Sequence, residues 1–330
     1  MGGRWINQDK PQGTPFVNPV FDHDAPDPSG ALKGDDGYYY IVTTQANYEN
    51  GMEKLPILRS QDLVHWEHAG QVFDTLPDWL DKVEINVWAP DFVRHDGKYY
   101  VYYAGQSAPN DDGYKMGIGV AVADDPLGPY VDKGEPIAIG PSFGTIDPFI
   151  FTDDDGSSYM YWGSDARPIR VQKLSEDGLS LVGESEEVLH VSPVKKYERL
   201  LEGPWVVKRG GYYYLFVSGD NCCGAGANYA VMVARSESPL GPFEKYSSVP
   251  GGGPILEAND RFDAPGHNSI VTDDAGQDWI LYHAFDRNAR FKGRILLMDK
   301  IDWKDGWPVI NDGKGPSFTE QKSGPVIRKE

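Results

Sequence analysis

One phrase recurs five times along this 330-residue chain, and it restricts the fold more than anything else in the sequence. A polar residue beside Pro or Gly leads into an apolar strand, a turn containing Gly, and then a strand of aromatics. The best-preserved copy runs from Ile146 to Ser164: Ile146-Asp147-Pro148 opens it, Asp153-Asp154-Asp155-Gly156 turns it, and Tyr159-Met160-Tyr161-Trp162 returns. Other copies run from Asp27-Pro28-Ser29 to Tyr38-Tyr39-Tyr40-Ile41-Val42 and from Trp88-Ala89-Pro90-Asp91 to Tyr99-Tyr100-Val101-Tyr102-Tyr103. The last two lead from Glu202-Gly203-Pro204 to Tyr212-Tyr213-Tyr214-Leu215-Phe216, and from Gly266-His267-Asn268-Ser269 to Trp279-Ile280-Leu281-Tyr282-His283.

Helical periodicity is scarce, whereas short runs bounded by Gly, Asp and Pro read as strands joined by hairpins. Each interval between copies holds one four-stranded antiparallel sheet with its loops. Such a sheet cannot cover both of its faces alone, so five of them stack around an axis. The sequence therefore predicts an all-β chain, a single five-bladed β-propeller over residues 1–330, with blades starting near 27, 91, 147, 202 and 267. The Asp153-Asp154-Asp155-Gly156 run is read as a hairpin turn, because a calcium loop needs alternating ligands and a Glu at its twelfth position.

Charge narrows the partners. Fifty acidic against thirty-one basic side chains give a net charge of −19, a field that repels phosphate backbones and anionic lipid. No nucleic-acid or membrane partner is expected, and no apolar run approaches the roughly 18 residues of a membrane span. A neutral substrate is not penalised, and 9 Trp and 19 Tyr suit both β cores and sugar faces. Met1 to Gln12 lacks the apolar core of a signal peptide. The compartment stays open between cytoplasmic and secreted with the signal removed. The two cysteines, Cys222 and Cys223, are adjacent. They exclude a disulfide framework and have the wrong spacing for zinc, so they are read as two small buried thiols.

In a propeller, the innermost strand of every blade begins near the axis on one face. The side chains of Asp27, Asp91, Asp147, Glu202 and His267 are therefore expected to converge there. Four carboxylates around one cavity raise one another's pKa unless some are paired, and unlike surroundings then separate acid from base. Glycoside hydrolysis needs that separation, with one carboxyl protonated and another ionised. Glu202 is the most telling, since Glu has no turn advantage before Gly-Pro.

At these residues the sequence resembles glycoside hydrolase family 43, five-bladed propeller enzymes that cleave arabinans, arabinoxylans and xylosides. Pro26-Asp27-Pro28-Ser29, Trp88-Ala89-Pro90-Asp91, Ile146-Asp147-Pro148 with Tyr161-Trp162-Gly163-Ser164, Glu202-Gly203-Pro204 and Gly266-His267-Asn268 carry the likeness, in the family's order. The resemblance implies inversion, with Asp27 as general base, Glu202 as general acid and Asp147 orienting the acid. Asp24 is the rival base. Inversion needs room for a water, so Asp27 and Glu202 are expected roughly 6.5 to 9.5 Å apart.

The same resemblance implies substrate contacts from Trp88, Asp91, Ser164 and Arg294. For Arg294, a salt bridge to a central carboxylate is the plainer alternative; for Trp88, a wedge between blades. His267 matches a histidine that faces a calcium ion on the axis in many members. Because imidazole is a poor ligand for a hard cation, such calcium is expected to be coordinated mainly by water. No organic cofactor is implied. The stretch Phe216 to Gly224, with its Cys pair, resembles the family's arabinanases and points to α-1,5-linked arabinofuranose in a plant-type polysaccharide or oligosaccharide. Ile57-Leu58-Arg59-Ser60 also occurs in similar form in exo-acting members, so an exo-acting arabinofuranosidase or β-xylosidase is the alternative. A catalytically silent glycan-binding propeller is the rival of another class.

Overall fold

The aromatic strands alternate in the direction they face, and that alternation builds the molecule. In a computed structural model describing residues 13–328, Tyr99, Val101 and Tyr103 pack towards the first blade. Tyr100 and Tyr102, between them in sequence, pack towards the third. The fourth blade repeats this: Tyr213, Leu215 and Val217 join the core shared with the third blade, Tyr214 and Phe216 the core shared with the fifth. Side chains on a strand point alternately to opposite faces, so a strand buried on both faces fills two cores at once.

Five antiparallel sheets result. The first contains Leu32–Lys33, Tyr39–Val42, Gly51–Ser60 and Trp66–Phe73, with Ala46–Tyr48 added beside Gly51–Ser60. The second contains Val87–His95, Lys98–Gln106 and Met116–Ala123, with Val131–Asp132 and Ala138–Gly140 both paired to Met116–Ala123. Phe149–Thr152, Ser158–Trp162, Ile169–Leu174 and Leu181–Leu189 form the third; Leu201–Arg209, Tyr212–Gly219, Ala230–Ser236 and Glu244–Lys245 form the fourth. The fifth contains Phe262–Thr272, Asp278–Asp286 and Ile295–Lys304, flanked by Trp307–Ile310. Apolar clusters fill all five junctions between neighbouring blades. Truncating a fully buried ring in one, such as Phe216, to alanine costs about 3–5 kcal/mol.

The expected five-bladed propeller of four-stranded sheets is thus the fold. Its ring is closed by a strand that the repeat did not reveal: Phe21–Asp24 pairs with Ile295–Lys304, Phe21 opposite Leu296 and Asp24 opposite Ile295. Asn18 adds a clamp, its amide donating to Met298 O at 2.9 Å while its Oδ1 accepts from Met298 N. The turn at Asp153 to Gly156 is a hairpin turn, with Gly156 N–H donating to Asp153 O and Gly156 at φ 84°. The reading of Met1 to Gln12 lies outside the described residues, as do the first and last residues of the predicted 1–330 span.

One correction concerns which residues are equivalent. The true repeat is a left-handed residue followed by proline: Asp27 (φ 55°), Ala89 (44°), Asp147 (62°), Gly203 (59°) and Ala264 (49°). Aligning the blades on polar residues is therefore out of register at Asp91, Glu202 and His267. The pairing register breaks between Trp88 and Asp91, between Glu202 and Trp205, and between Asp263 and Gly266. A bulge of this kind re-aims the side chains around it and is common beside active sites. Left-handed conformations are uncommon for residues with a Cβ, so Asp27 and Asp147 are held by the packing around them.

Candidate active site

A cavity of about 340 Å³ opens on the face where the inner strands begin. Asp27, Asp147, Glu202, His267, Ser164, Arg294 and Trp88 all line it. Asp91 is the exception among the residues expected to converge. Its Oδ1 accepts from Phe92 N–H and its Oδ2 from Ile150 N–H at 2.8 Å, so this carboxyl joins the second blade to the third. The bulge after Ala89-Pro90 places Asp91 beyond the kink, opposite Tyr102 and away from the cavity. Burial pushes its pKa up to about 7, and the two N–H groups offset this only in part.

Asp27 sits in a cationic, hydrogen-bonded corner. Its Oδ1 lies 3.3 Å from Arg294 Nη1, and its Oδ2 accepts from Thr44 Oγ1 at 2.5 Å. Thr44 Oγ1 in turn accepts from Ala89 N–H at 2.7 Å, which leaves its own proton for Asp27. Burial alone would raise the pKa of Asp27. The permanently charged guanidinium of Arg294 foremost holds it well below the usual carboxylate range. The backbone N–H of Asp27 donates to His283 Nδ1 at 3.0 Å, so His283 carries its proton on Nε2. Burial pushes the His283 pKa down to about 4 and lowers that of His267 as well, so both rings are neutral at neutral pH.

Glu202 has different company. Ser164 donates to its Oε2, and Tyr229 donates to its Oε1 at 2.5 Å. Burial raises its pKa, the two hydroxyls oppose that rise, and the charge of Asp27 adds to it. The Asp147 Oδ2 accepts one backbone bond, from Gly203 N–H at 3.0 Å. Burial, then Glu202 and Asp27, push Asp147 well above the carboxylate range. Asp147 and Glu202 therefore titrate as a pair that keeps a proton while Asp27 is ionised.

Asp24, the rival base, faces elsewhere: its Oδ1 accepts from Arg294 N–H at 2.8 Å, and it does not line the cavity. Arg294 makes the plainer of its two expected contacts, the salt bridge to Asp27. Trp88 lines the cavity with its ring 5.8 Å from that of Phe143.

The thiol reading is overturned. Cys222 and Cys223 are bonded to each other, Cys223 is exposed, and both line the cavity. They lie in the loop between Tyr212–Gly219 and Ala230–Ser236, outside any strand. Adjacency argues against such a bond because the ring it closes constrains the peptide between the two residues, and a loop outside any strand accommodates that constraint.

Three site residues escaped the sequence reading. Thr44 follows an aromatic strand with nothing to mark it, and Tyr229 is one tyrosine among many. His283 did carry a signal, as a lone histidine closing an apolar strand, and it is fully buried.

Fold and site together define a glycoside hydrolase built on a propeller. Residues 16–308 match the model for Glycosyl hydrolases family 43, and the chain belongs to that family. It is 28% identical over 324 residues to an extracellular exo-α-(1→5)-L-arabinofuranosidase, ArbA, of Cellvibrio japonicus, covering 91% of this chain and 90% of that protein. It is 30% identical to an extracellular endo-α-(1→5)-L-arabinanase of Bacillus subtilis, covering 82% of this chain and 83% of the relative. A solved thermostable family-43 glycoside hydrolase superposes with a TM-score of 0.77 at 27% identity, over 95% of this chain and 100% of the other. Some solved relatives are longer, and the chain spans 61% of one of them.

Proposed function

We propose that the protein hydrolyses α-1,5-linked L-arabinofuranosidic bonds with inversion of configuration, in arabinan or its oligosaccharides. The observation that carries this reading is the unlike pairing of Asp27 and Glu202 across one cavity. Asp27 is set against a guanidinium and Glu202 against two neutral hydroxyls. In this reading Asp27 takes a proton from the attacking water, and Glu202 gives one to the departing glycosidic oxygen. Asp147, buried in the same cavity and raised by burial and by the charge of Glu202, titrates with it as a pair that retains a proton for that transfer. Trp88, Ser164 and Arg294 contact the sugar at the cleavage point.

The arabinofuranose assignment is supported by the arabinan-directed names of the Cellvibrio and Bacillus relatives. Exo action is the second reading, favoured by the name of the first of these. Purified linear arabino-oligosaccharide followed by proton NMR tests bond and stereochemistry together. The β-anomer of arabinose at the newly formed end is expected first; the α-anomer overturns inversion, and no cleavage overturns the substrate. A ladder of oligomers from linear arabinan supports endo action, and arabinose alone supports exo.

A cation on the axis belongs to the same proposal. Both amide atoms of Asn268, the hydroxyl of Ser269 and Nε2 of His283 are buried without a protein partner, and Asn268 and Ser269 directly follow His267. Among the described residues no group of three or more His, Cys, Asp or Glu could hold a metal. These residues fit a calcium ion held mainly through water near His267, with the oxygens of Asn268 and Ser269 as outer partners. When bound, it would supply positive charge beside the carboxylates. Chelation is expected to lower the melting temperature and calcium to restore it. An unchanged melting temperature with no metal by elemental analysis removes the cation.

A further inference from the structure

A second cavity, of about 570 Å³, lies between the second and third blades. Only two loops separate it from the catalytic cavity. Along residues 141–146, Ser142, Gly144 and Thr145 line the second cavity, while Phe143 and Ile146 line the first. Along residues 162–168 the division repeats, with Trp162 and Arg167 on one side and Ser164 and Asp165 on the other. Residues of the same two loops thus line both cavities.

The lining is amphipathic. Ile139 is 54% exposed. Of three cations present, Lys133 is paired with Glu135 at 2.8 Å and Arg170 with Glu187 at 2.6 Å. Arg167 has neither a carboxylate partner nor a side-chain hydrogen bond among the described residues. Its stem packs against the wall, since a Cβ on Gly144 would lie 2.7 Å from Arg167 Cδ. Side chains larger than hydrogen are excluded there unless the arginine moves. Five unengaged guanidinium donors beside exposed apolar carbon match a ligand with hydroxyls on one edge and C–H groups on another. The net charge of −19 makes a neutral ligand the better match than a polyanion.

We propose that this cavity is an accessory site for the same neutral pentose chain that is cut next door, holding sugar residues several positions from the scissile bond. The inference rests on the arabinan reading above. It assigns Arg167 as hydroxyl donor and Ile139 as the apolar floor. Neither touches the reacting bond, so their effect grows with chain length.

The test compares kcat/KM on an aryl arabinofuranoside with kcat/KM on linear arabino-oligosaccharides of increasing length, for the wild type, Arg167→Ala and Ile139→Asp. Activity on the aryl substrate stays unchanged, while the longest oligomer loses about tenfold in Arg167→Ala, the equivalent of one charge-assisted hydrogen bond. Arg167→Lys recovers part of that loss. A length dependence identical in wild type and variants overturns the accessory site while leaving the cleavage reading intact. Failure of the wild type to cleave any arabinofuranoside removes both. Binding of a long oligomer to Glu202→Gln, with and without Arg167→Ala, gives a second measurement free of turnover. Equal affinity in the two overturns the proposal.

Discussion

Tyr229 donates its phenolic hydrogen to Oε1 of Glu202 at 2.5 Å, from a ring stacked 5.7 Å from His283. A donor to a carboxylate favours the ionised form, so this bond opposes the rise that burial imposes on Glu202. Tyr229→Phe removes it and raises the Glu202 pKa further. The alkaline limb of the kcat/KM profile, where the acid loses its proton, is expected to move to higher pH. A limb that stays in place would separate Tyr229 from the acid.

Glu202→Gln keeps the shape of the side chain and removes its proton. Activity on arabino-oligosaccharides is expected to fall by about 10²–10⁴-fold. An aryl arabinofuranoside with a good leaving group, which needs little protonation, loses far less. Equal losses measured on the two substrates would take the acid role from Glu202.

Arg294 is the permanent charge that faces Asp27. Arg294→Met lets burial dominate, so the Asp27 pKa rises and the acidic limb of the profile moves to higher pH. The same pair affects stability. Because the folded pKa of Asp27 is depressed, its contribution is present above the unfolded value and is lost as pH falls through the folded one. Thermal unfolding of Arg294→Met should therefore differ from wild type most at neutral pH and least in acid. The reverse order would contradict the pairing.

Asp91 has the opposite sign. Its folded pKa is raised to about 7, so its contribution to stability is complete below the unfolded value and is lost as pH rises through about 7. Asp91→Asn removes that titration, and the fall in melting temperature across this range is expected to flatten. Since the carboxyl binds Ile150 at a blade junction, kcat/KM on short substrates should change little. A large loss of activity with unaltered stability would return Asp91 to the substrate.

Much of this was legible in the chain. Aromatic strands after Gly turns specify sheets buried on both faces, and five copies of a sheet that cannot cover itself specify a ring. Asp27 and Asp147 could be found because each directly precedes a proline at the entry of an apolar strand, a local feature written in the sequence. Glu202 stood out as a Glu with no local reason to be there. The placement of Asp91 was not legible, because a bulge moves side chains by one position without changing composition. The disulfide was not legible either, since the adjacency of Cys222 and Cys223 argues against a bond that the loop carrying them accommodates.

What the sequence determined by itself is the repeat, hence the fold, and the set of carboxylates available to the axis. Tertiary structure alone decided which of them is ionised. The guanidinium that faces Asp27 lies 267 positions away in the chain. It arrives only because Phe21–Asp24 closes the ring against Ile295–Lys304, the strand that directly follows Arg294. Electrostatic assignment depends on distances across that closure, and no local pattern encodes them.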